Sequence, residues 1–588
     1  MRMIHAVAFW MVVAAMPAAT DAASAIQLGS DQALEAEVQR LIDSPQWRDD
    51  RWSVSVISLD RGDTLVSIGG SETLAPASNM KLFTTGAALY YLGPQYRFTT
   101  FLLADGTIEN GILDGDLIIY GTGDPTLSDR FGRKMSVWQA FADTVAALGI
   151  REIRGNIIGD ASYFGGPGAA EGWQPDYMNA SYAAPASALT YAENIVTLMI
   201  KPGPEPGWRP VVQVVPGGEG IAIVNEATTV ASGRTRLHVA RAAYDGPIVI
   251  RGQIARNNGG VLRTVPIADA PRWVAAVLRE TLQKRGIVVT GDVRAVQNPA
   301  ESPVSGRAVF APAFSDKAPV RVLAMYLSPP LIEILEVINK KSHNLLAEQT
   351  LRTIGRVVVG QGTVEAGARA VLAMLGREGD SDSPSPQIYD GSGLSVLNRV
   401  SSRDIVELLA FMANSPMFED YYFTLPEAGA RDGLSRMGGT AAIGNLRAKT
   451  GTINYVSALS GYVRAANGER LAFSIISNNV PSTYRAKRIE DAIGARLASY
   501  SRPGQVTVAP MPDTTRVRAG PAAADTTSKS NTTAPANPAA MRTHRIRKGD
   551  TLEAIAKRYG TTVAALRKAN PGLDPRRLIP GKSVRLPN

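Results

Sequence analysis

The sequence predicts an α/β protein of several domains, and three observations lead to this prediction. The chain has 588 residues, several times the usual length of one domain. Segments with helical periodicity and short β-prone runs both recur along the chain. Residues 501–541 are rich in Pro, Ala and Thr without an apolar period, so we expect a flexible, disordered linker before a small terminal unit.

The first 25 residues have the pattern of a secretory signal peptide. Arg2 precedes an apolar run at residues 6–15, and Ala23-Ser24-Ala25 offers small residues for cleavage. An uncleaved membrane anchor is the alternative, but this run is shorter than the roughly 20 residues that span a bilayer. We therefore expect an exported protein with no transmembrane anchor after signal cleavage.

Residue usage restricts the chemistry. The chain has no cysteine, which excludes disulfides, thiolate nucleophiles and thiolate metal ligands. Of its four histidines, only His238 and His343 lie in the central part of the chain. A His-rich zinc centre is hard to assemble from two histidines, so we predict neither a metal site nor a cofactor.

The order of predicted elements indicates one domain interrupted by an insertion. Alternating residues at 52–59 and 64–68 predict a hairpin, and a helical stretch begins near Ser78 and continues to Leu92. Residues 97–315 then consist of short β-prone runs separated by Gly, Pro and Asn. After this region the sequence predicts helices and strands at 330–356, 364–377, 403–413, 446–452, 457–463, 471–476 and 484–499.

Ser78-Asn79-Met80-Lys81 carries a candidate nucleophile and base. A serine and a lysine three residues apart on a helix lie on one face, so the amine reaches the hydroxyl. Lysine acts as a base only when burial or a neighbouring cation lowers its pKa, and Lys449 could be such a cation. Ser78 is the only serine in the chain with a lysine three residues later.

The tripeptide Ser-x-Asn occurs twice, at Ser342-His343-Asn344 and at Ser477-Asn478-Asn479. The first copy follows a helical run and can direct polar groups into a cleft. The second ends a predicted hairpin, where a strand terminus is the simpler reading. We select Ser342 and Asn344, and interpret His343 as a satisfied or exposed imidazole.

Lys449-Thr450-Gly451 occurs once and lies on a predicted strand. On a strand edge, Lys449 and Thr450 can hold a carboxylate, while Gly451 lets a substrate backbone approach closely. Thr452 can offer its backbone N–H beside that of Ser78, and two such donors form an oxyanion hole.

The three motifs together resemble those of penicillin-binding proteins and serine β-lactamases. Ser342 follows Ser78 by 264 positions, and so large a separation resembles the class C low-molecular-mass D-Ala-D-Ala carboxypeptidases and endopeptidases. Further segments similar to that family are Gly123-Asp124-Pro125-Thr126-Leu127, Gly159-Asp160, Ser328-Pro329-Pro330-Leu331 and Asp390-Gly391-Ser392-Gly393-Leu394-Ser395. The resemblance implies a β-lactamase/transpeptidase-like catalytic domain formed by residues 26–96 and 316–500, discontinuous around the β-rich insertion at 97–315.

The resemblance also implies roles for the site residues. Ser78 would attack the penultimate D-Ala carbonyl, with Lys81 taking its proton. Ser342 would pass a proton to the leaving D-Ala, and Asn344 would orient the substrate or Lys81. Residues Lys449, Thr450 and Thr452 would recognise the terminal carboxylate. Peptidoglycan peptides are the implied substrate and β-lactams the implied covalent inhibitors, which places the protein in the periplasm or cell envelope.

Three rival functions remain to be weighed against this one. A class A β-lactamase depends on a Glu-x-x-Leu-Asn loop for deacylation, and the chain has no such pentapeptide. A wall-building transpeptidase would have a membrane span and a glycosyltransferase region. A catalytically inactive wall-binding protein would share the fold but would not be labelled by penicillin.

Residues 542–588 form a small basic unit. They contain twelve Lys and Arg against three Asp and Glu, a balance of +9 that equals the net charge of the whole chain. The pattern at 546–560, with Val563, Leu566 and Asn570, resembles a LysM module, a βααβ domain that binds glycans containing N-acetylglucosamine. Basic clusters also bind nucleic acid, but export and the lack of interleaved aromatic residues disfavour that partner.

Overall fold

The computed structural model describes most residues between 32 and 503 and short parts of the C-terminal unit. The described ranges are 32–43, 49–132, 135–217, 220–305, 320–377, 386–431, 433–503, 543–545, 551–552, 555–556, 562–570 and 583–585. The predicted signal peptide and nearly all of the predicted linker lie outside these ranges. The chain divides into two compact units, Met1–Asp513 and Thr514–Asn588.

The first elements form the predicted hairpin and the predicted helix after it. They are α1 Gln32–Ile42, β1 Arg51–Ser58, β2 Thr64–Ile68 and α2 Met80–Tyr91. Strands β1 and β2 pair antiparallel. A 3-10 turn, Ala77–Asn79, comes directly before α2.

The region that follows is mostly β, as its composition predicted. Its strands are β3 Thr99–Glu109, β4 Ile112–Gly121, β5 Glu152–Ile153, β6 Ile157–Asp160, β7 Ile195–Lys201, β8 Val211–Val215, β9 Ile223–Asn225, β10 Thr228–Val230, β11 Arg236–Ala240, β12 Ile248–Ala255, β13 Val261–Pro266, β14 Val288–Val289, β15 Val293–Val296 and β16 Arg321–Leu327. Its helices are α3 Ser136–Ala147 and α4 Ala270–Lys284.

Helices dominate the part after the insertion, before three strands and a last helix. These elements are α5 Leu331–Lys340, α6 Asn344–Ile354, α7 Val364–Met374, α8 Ser402–Ala413, α9 Phe418–Thr424, β17 Arg447–Ile453, β18 Val456–Arg464, β19 Arg470–Asn478 and α10 Thr483–Ala498. The helical periodicity at 330–356 corresponds to two helices, which are separated by a turn at residues 341–343.

A five-stranded antiparallel sheet forms the centre of the part of the chain that flanks the insertion. Its strand order is β17-β18-β19-β1-β2, so β1 from the start of the chain pairs with β19 near its end. One face of the sheet packs on α1 and α10, and the other packs on α2, α8 and neighbouring helices. With both faces covered, the serines of β1 are buried, and Ser53 and Ser55 hydrogen-bond Ser402 of α8 at 2.8 and 2.7 Å.

The insertion builds a seven-stranded mixed sheet and two smaller sheets of four and three strands. Strand β16 pairs antiparallel with β3, so it belongs to the insertion's sheet although the predicted insertion ends at residue 315. The predicted boundary therefore lies before this strand. The boundary was predicted from local composition, which cannot indicate a pairing between strands more than 200 positions apart.

The C-terminal unit has two strands and a helix among its described residues. Strand β20, Thr543–Arg545, pairs antiparallel with β21, Ser583–Arg585, and helix α11 covers Val563–Ala569. Leu552, Ile555 and Leu566 are buried. The outer strands of the predicted βααβ order are therefore present.

The α/β fold class predicted from the sequence is confirmed. Among the residues that the structure describes, no helix is both long and apolar enough to cross a bilayer.

Candidate active site

The 3-10 turn Ala77–Asn79 places Ser78 immediately before the buried helix α2. Lys81 belongs to the first turn of that helix, so it lies one helical turn after Ser78. The Lys81 Nζ atom is 3.0 Å from Ser78 Oγ, the contact that the spacing predicted. A side-chain amine is thus in position to accept the proton of the Ser78 hydroxyl.

Two glycines let other backbone segments approach this turn. Gly393 has φ 82°, and a Cβ there would lie 1.8 Å from the Ala77 carbonyl oxygen. A Cβ on Gly451 of β17 would lie 2.7 Å from the Pro76 carbonyl oxygen and 3.2 Å from the Ser78 nitrogen. A side chain at either position would displace the turn. Gly451 is therefore needed for close packing against Ser78, a contact within the protein that the sequence interpretation did not include.

The Lys81 side chain is completely buried and has three acceptors. Besides Ser78 Oγ, its Nζ donates to Asn344 Oδ1 at 2.7 Å and to the Ser392 carbonyl oxygen at 2.5 Å. These partners come from α6 and from the loop before α8. Three distant parts of the chain thus meet at one amine.

Burial lowers the pKa of Lys81 from 10.5 to about 7, although the carboxylates of Asp390 and Glu348 act in the opposite direction. Desolvation disfavours the charged form of a buried amine. Close to neutral pH, Lys81 can therefore be present as a free base.

Glu348 is a site residue that the sequence interpretation missed. It lies four residues after Asn344 on α6, is completely buried, and accepts from the backbone N–H groups of Gly391 and Ser392 at 3.0 and 2.9 Å. Burial and the nearby Asp390 raise its pKa to about 7, despite its ion pair with Arg352. The spacing of four on a helix already carrying Asn344 is the signal that could have identified it.

Asp390 organises the loop that supplies the Ser392 carbonyl. Its carboxylate accepts from the N–H groups of Gly393 and Ser395 at 2.7 Å each. It also accepts from the indole of Trp173, in the inserted region, at 3.0 Å. The sequence interpretation matched this segment to the family without giving Asp390 a role.

Ser342 and Lys449 form the second half of the site. Ser342 lies in the turn between α5 and α6 with φ 56°, a left-handed conformation that is uncommon for serine. The Lys449 Nζ atom donates to Ser342 Oγ at 2.9 Å and to the Thr450 carbonyl oxygen at 2.7 Å. Lys449 is completely buried, and burial together with the charge of Lys81 lowers its pKa well below the usual value.

Strand β17 is the edge of the five-stranded sheet, so part of its backbone is not paired with β18. Ala448 donates its N–H to Pro426, on the side away from β18. Backbone groups of an antiparallel strand alternate in direction, so the N–H groups of Thr450 and Thr452 face the same side. The Thr452 N–H therefore points away from β18, and its place beside the Ser78 N–H stays a prediction.

A cleft of about 770 Å³ opens at this site. Its lining residues include Ser78, Ser342, Asn344 and Thr452, together with Tyr177, Tyr182, Gly393, Leu394, Ile453, Asn454, Tyr455, Val480, Pro481, Ser482, Thr483 and Tyr484. Lys81 and Lys449 reach the lining serines through their Nζ atoms, while Thr450 and Gly451 continue β17 between Lys449 and Thr452. All eight predicted residues thus lie at one site.

The second Ser-x-Asn copy lies at a strand end, as predicted, since β19 ends at Asn478. The Asn478 side chain hydrogen-bonds both the N–H and the carbonyl group of Ala75 at 3.0 Å. It thereby fixes the segment that leads into the Ser78 turn.

The arrangement suits nucleophilic acyl transfer. A hydroxyl beside a neutral amine can attack a carbonyl, and a second hydroxyl held by a lysine can move a proton. Within the described ranges, no group of three or more His, Asp or Glu side chains could hold a metal ion.

Comparison with known proteins gives two family matches. The D-Ala-D-Ala carboxypeptidase 3 (S13) family matches residues 34–500, and the LysM domain matches residues 544–587. A D-alanyl-D-alanine carboxypeptidase of Actinomadura sp. is 35% identical over 485 residues, covering 80% of this chain and 85% of the relative. D-alanyl-D-alanine carboxypeptidase DacB of Haemophilus influenzae is 26% identical over 424 residues, covering 71% of this chain and 83% of the relative.

The fold is also similar to a solved structure. The crystal structure of penicillin binding protein 4 (dacB) from Haemophilus influenzae superposes with a TM-score of 0.65 at 24% identity, covering 79% of this chain and 99% of that one. The family match spans the five-stranded sheet, the insertion and every residue of the cleft. The chain therefore belongs to the D-Ala-D-Ala carboxypeptidase 3 (S13) family of serine-type carboxypeptidases and carries a C-terminal LysM domain.

Proposed function

We propose that this carboxypeptidase is exported to the periplasm or cell envelope, acts on peptidoglycan peptides through an acyl-enzyme at Ser78, and is acylated by penicillin. The observation that carries the proposal is the buried Lys81 amine, 3.0 Å from Ser78 Oγ and with a pKa of about 7. A base is most effective when its pKa lies near the working pH.

In the acylation step, Ser78 Oγ attacks the carbonyl carbon of the penultimate D-Ala, and Lys81 Nζ takes the hydroxyl proton. The carbonyl oxygen becomes an oxyanion, which the N–H groups of Ser78 and Thr452 would stabilise. Collapse of the tetrahedral intermediate breaks the peptide bond and leaves an ester on Ser78. Donors fixed in place before charge develops stabilise such an intermediate without reorganisation.

The leaving amine needs a proton, and Ser342 is the group proposed to deliver it. Ser342 Oγ accepts a hydrogen bond from Lys449, which can replace the proton that the hydroxyl gives away. The proton held by Lys81 then passes to the neutral Lys449, which restores both amines. Water attacks the ester while Lys81 Nζ takes one of its protons, and that proton goes to Ser78 Oγ as the ester bond breaks and the shortened peptide leaves. Asn344 holds Lys81 in line through its 2.7 Å hydrogen bond.

Carboxylate recognition is proposed for Lys449, Thr450 and Thr452. Lys449 is buried, so a bound carboxylate would be its nearest negative partner and would favour its charged form. Thr452 lines the cleft directly. The chain end of the peptide would then lie along the open edge of β17.

Endopeptidase activity is part of the proposal, because the acyl donor is the same in both reactions. Only the amine that leaves differs, a free D-Ala or the side chain of a neighbouring peptide. A β-lactam would acylate Ser78 in the same way but keep its leaving group attached. A β-lactam complex has been crystallised for the similar penicillin binding protein 4 of Haemophilus influenzae, which supports this extension.

The LysM domain supports a wall-binding role for the C-terminal unit. Tethering a catalytic domain to its polymer raises the local substrate concentration. The net charge of +9 on residues 542–588 adds attraction to an acidic wall. Export is proposed from the N-terminal pattern together with this substrate.

We expect Ser78→Ala to abolish covalent labelling by a fluorescent penicillin and to lower peptide turnover at least about a thousandfold. The reason is that Ser78 is the hydroxyl held by Lys81, the amine whose pKa of about 7 suits a base. Gel fluorescence and D-Ala release measure the two effects. Ser499→Ala, at the exposed end of α10, is the matched control and should label normally. Labelling retained in Ser78→Ala refutes the nucleophile assignment.

We expect the acylation rate to rise with pH through an apparent pKa near 7, because only neutral Lys81 can take the Ser78 proton. Stopped-flow rates of penicillin acylation between pH 5 and 9 measure this profile. Glu348→Gln keeps an acceptor but removes a charge that raises the Lys81 pKa, so it should move the rise to lower pH. A rate that does not change with pH argues against Lys81 as the base.

We expect purified cross-linked muropeptides to yield both free D-Ala and separated monomers, because one acyl donor serves both leaving groups. Mass spectrometry of the products distinguishes the two cleavages, and Ser78→Ala serves as the blank. Release of D-Ala with intact cross-links would limit the enzyme to carboxypeptidase activity.

We expect deletion of residues 542–588 to weaken co-sedimentation with insoluble peptidoglycan and to leave hydrolysis of a soluble peptide unchanged. The reason is that all eight site residues lie in the other compact unit. Pelleting assays and D-Ala release measure the two properties. Equal sedimentation of the full-length and truncated proteins would contradict a wall-binding LysM domain.

A further inference from the structure

The inserted region reaches the active site through residues 165–193, named here the bridging segment. Within it, the Tyr182 carbonyl accepts from Asn344 Nδ2 at 2.9 Å, and the Trp173 indole donates to Asp390. A third contact joins Glu193 to His343, the residue between Ser342 and Asn344. The insertion therefore contacts two of the loops that surround Lys81.

The contact between Glu193 and His343 joins two titratable side chains. Glu193 Oε2 is 2.9 Å from His343 Nε2, and the two side chains are only 13% and 16% exposed. The carboxylate also pairs with Arg130 at 2.6 Å and accepts from the Ser128 hydroxyl at 3.4 Å. Arg130 and Ser128 of the insertion thus fix the position of the Glu193 carboxylate, which in turn contacts His343.

Each side of this contact has an unusual backbone. Ala192, Glu193 and Asn194 have φ values of 46°, 57° and 52°, and Ser342 has φ 56°. None is glycine, and each such residue costs about 1–3 kcal/mol, so the surrounding structure must enforce these conformations. Strain of this kind concentrates at positions where orientation matters.

His343 is suited to transmit the orientation. Its Nδ1 accepts from the Leu346 N–H at 3.5 Å as the N-cap of α6, which leaves the Nε2 proton for Glu193. The imidazole therefore fixes the start of α6 and is itself fixed by the insertion. Asn344, which holds Lys81, is the first residue of that helix.

We propose that Glu193 is a positioning residue for the turn Ser342-His343-Asn344 and acts on it through His343. The proposal rests on the proposed roles of Ser342 and Asn344. Without the carboxylate, the strained turn can relax. Relaxation would move Asn344 Oδ1 away from Lys81 and Ser342 Oγ away from Lys449.

The ionisation state of Glu193 supports its proposed role as a positioning residue. Burial raises the pKa of Glu193, but hydrogen bonds from His343 and Arg130, with the charge of Arg130, outweigh burial and lower the pKa to about 2. The carboxylate is therefore ionised across the working range. A mostly buried anion that loses a partner is strongly destabilised, so it keeps His343 in place.

The test compares Glu193→Ala with Glu193→Gln in the full-length protein. Glu193→Ala should slow acylation of Ser78 by fluorescent penicillin about tenfold to a hundredfold, since small displacements of reacting groups have effects of this size. The kcat for a D-Ala-D-Ala peptide should fall similarly, with KM changed little. Glu193→Gln keeps an acceptor for His343 and should recover most of the rate.

The control is Glu226→Ala, which removes an exposed ion pair with Arg251 in the same inserted region and should leave the rate unchanged. A wild-type rate in Glu193→Ala overturns the inference. Equal losses in Glu193→Ala and Glu193→Gln, with equal falls in melting temperature, indicate a purely structural role and also overturn it. A wild-type protein that takes up no penicillin refutes the proposed function itself.

A double-mutant cycle tests the route through His343. If Glu193 acts only through His343, adding Glu193→Ala to His343→Ala should slow acylation no further. Independent, multiplying losses would overturn the proposed route.

Discussion

The buried amine of Lys81 is the group around which the rest of the site is arranged. It has no contact with solvent, and its three acceptors belong to the Ser78 turn, to α6 and to the loop before α8. A change of pKa from 10.5 to about 7 corresponds to about 5 kcal/mol against the charged form. Keeping water out therefore matters as much as the contacts themselves.

Water is kept out by close packing of backbone against backbone. Gly393 and Gly451 approach the Ser78 turn at distances where a Cβ would clash. The charge of Lys81 disfavours protonation of a second buried lysine, Lys449, while the carboxylates of Asp390 and Glu348 favour protonation of Lys81. Burial and the two carboxylates thus shift the pKa of Lys81 in opposite directions.

The domain organisation explains how such a site is assembled. Strand β1 pairs with β19, so the two parts of the chain that the insertion separates in sequence form one sheet. The insertion is not simply attached beside them, because Tyr182, Trp173 and Glu193 contact residues of the site itself. Chain segments separated by hundreds of positions therefore share one packed environment, and local order in each depends on the others.

The sequence alone was sufficient for the fold class, the three motifs and the basic terminal unit, because these depend on composition and on local spacing. Ser78 and Lys81 could be paired since three residues on a helix define one face. Glu348 was missed as a site residue, Asp390 was given no role, the insertion boundary was set before β16, and His343 was interpreted without its partner Glu193. Each of these depends on contacts between distant residues, which leave no periodic pattern in the chain and arise only when the tertiary structure brings the groups together.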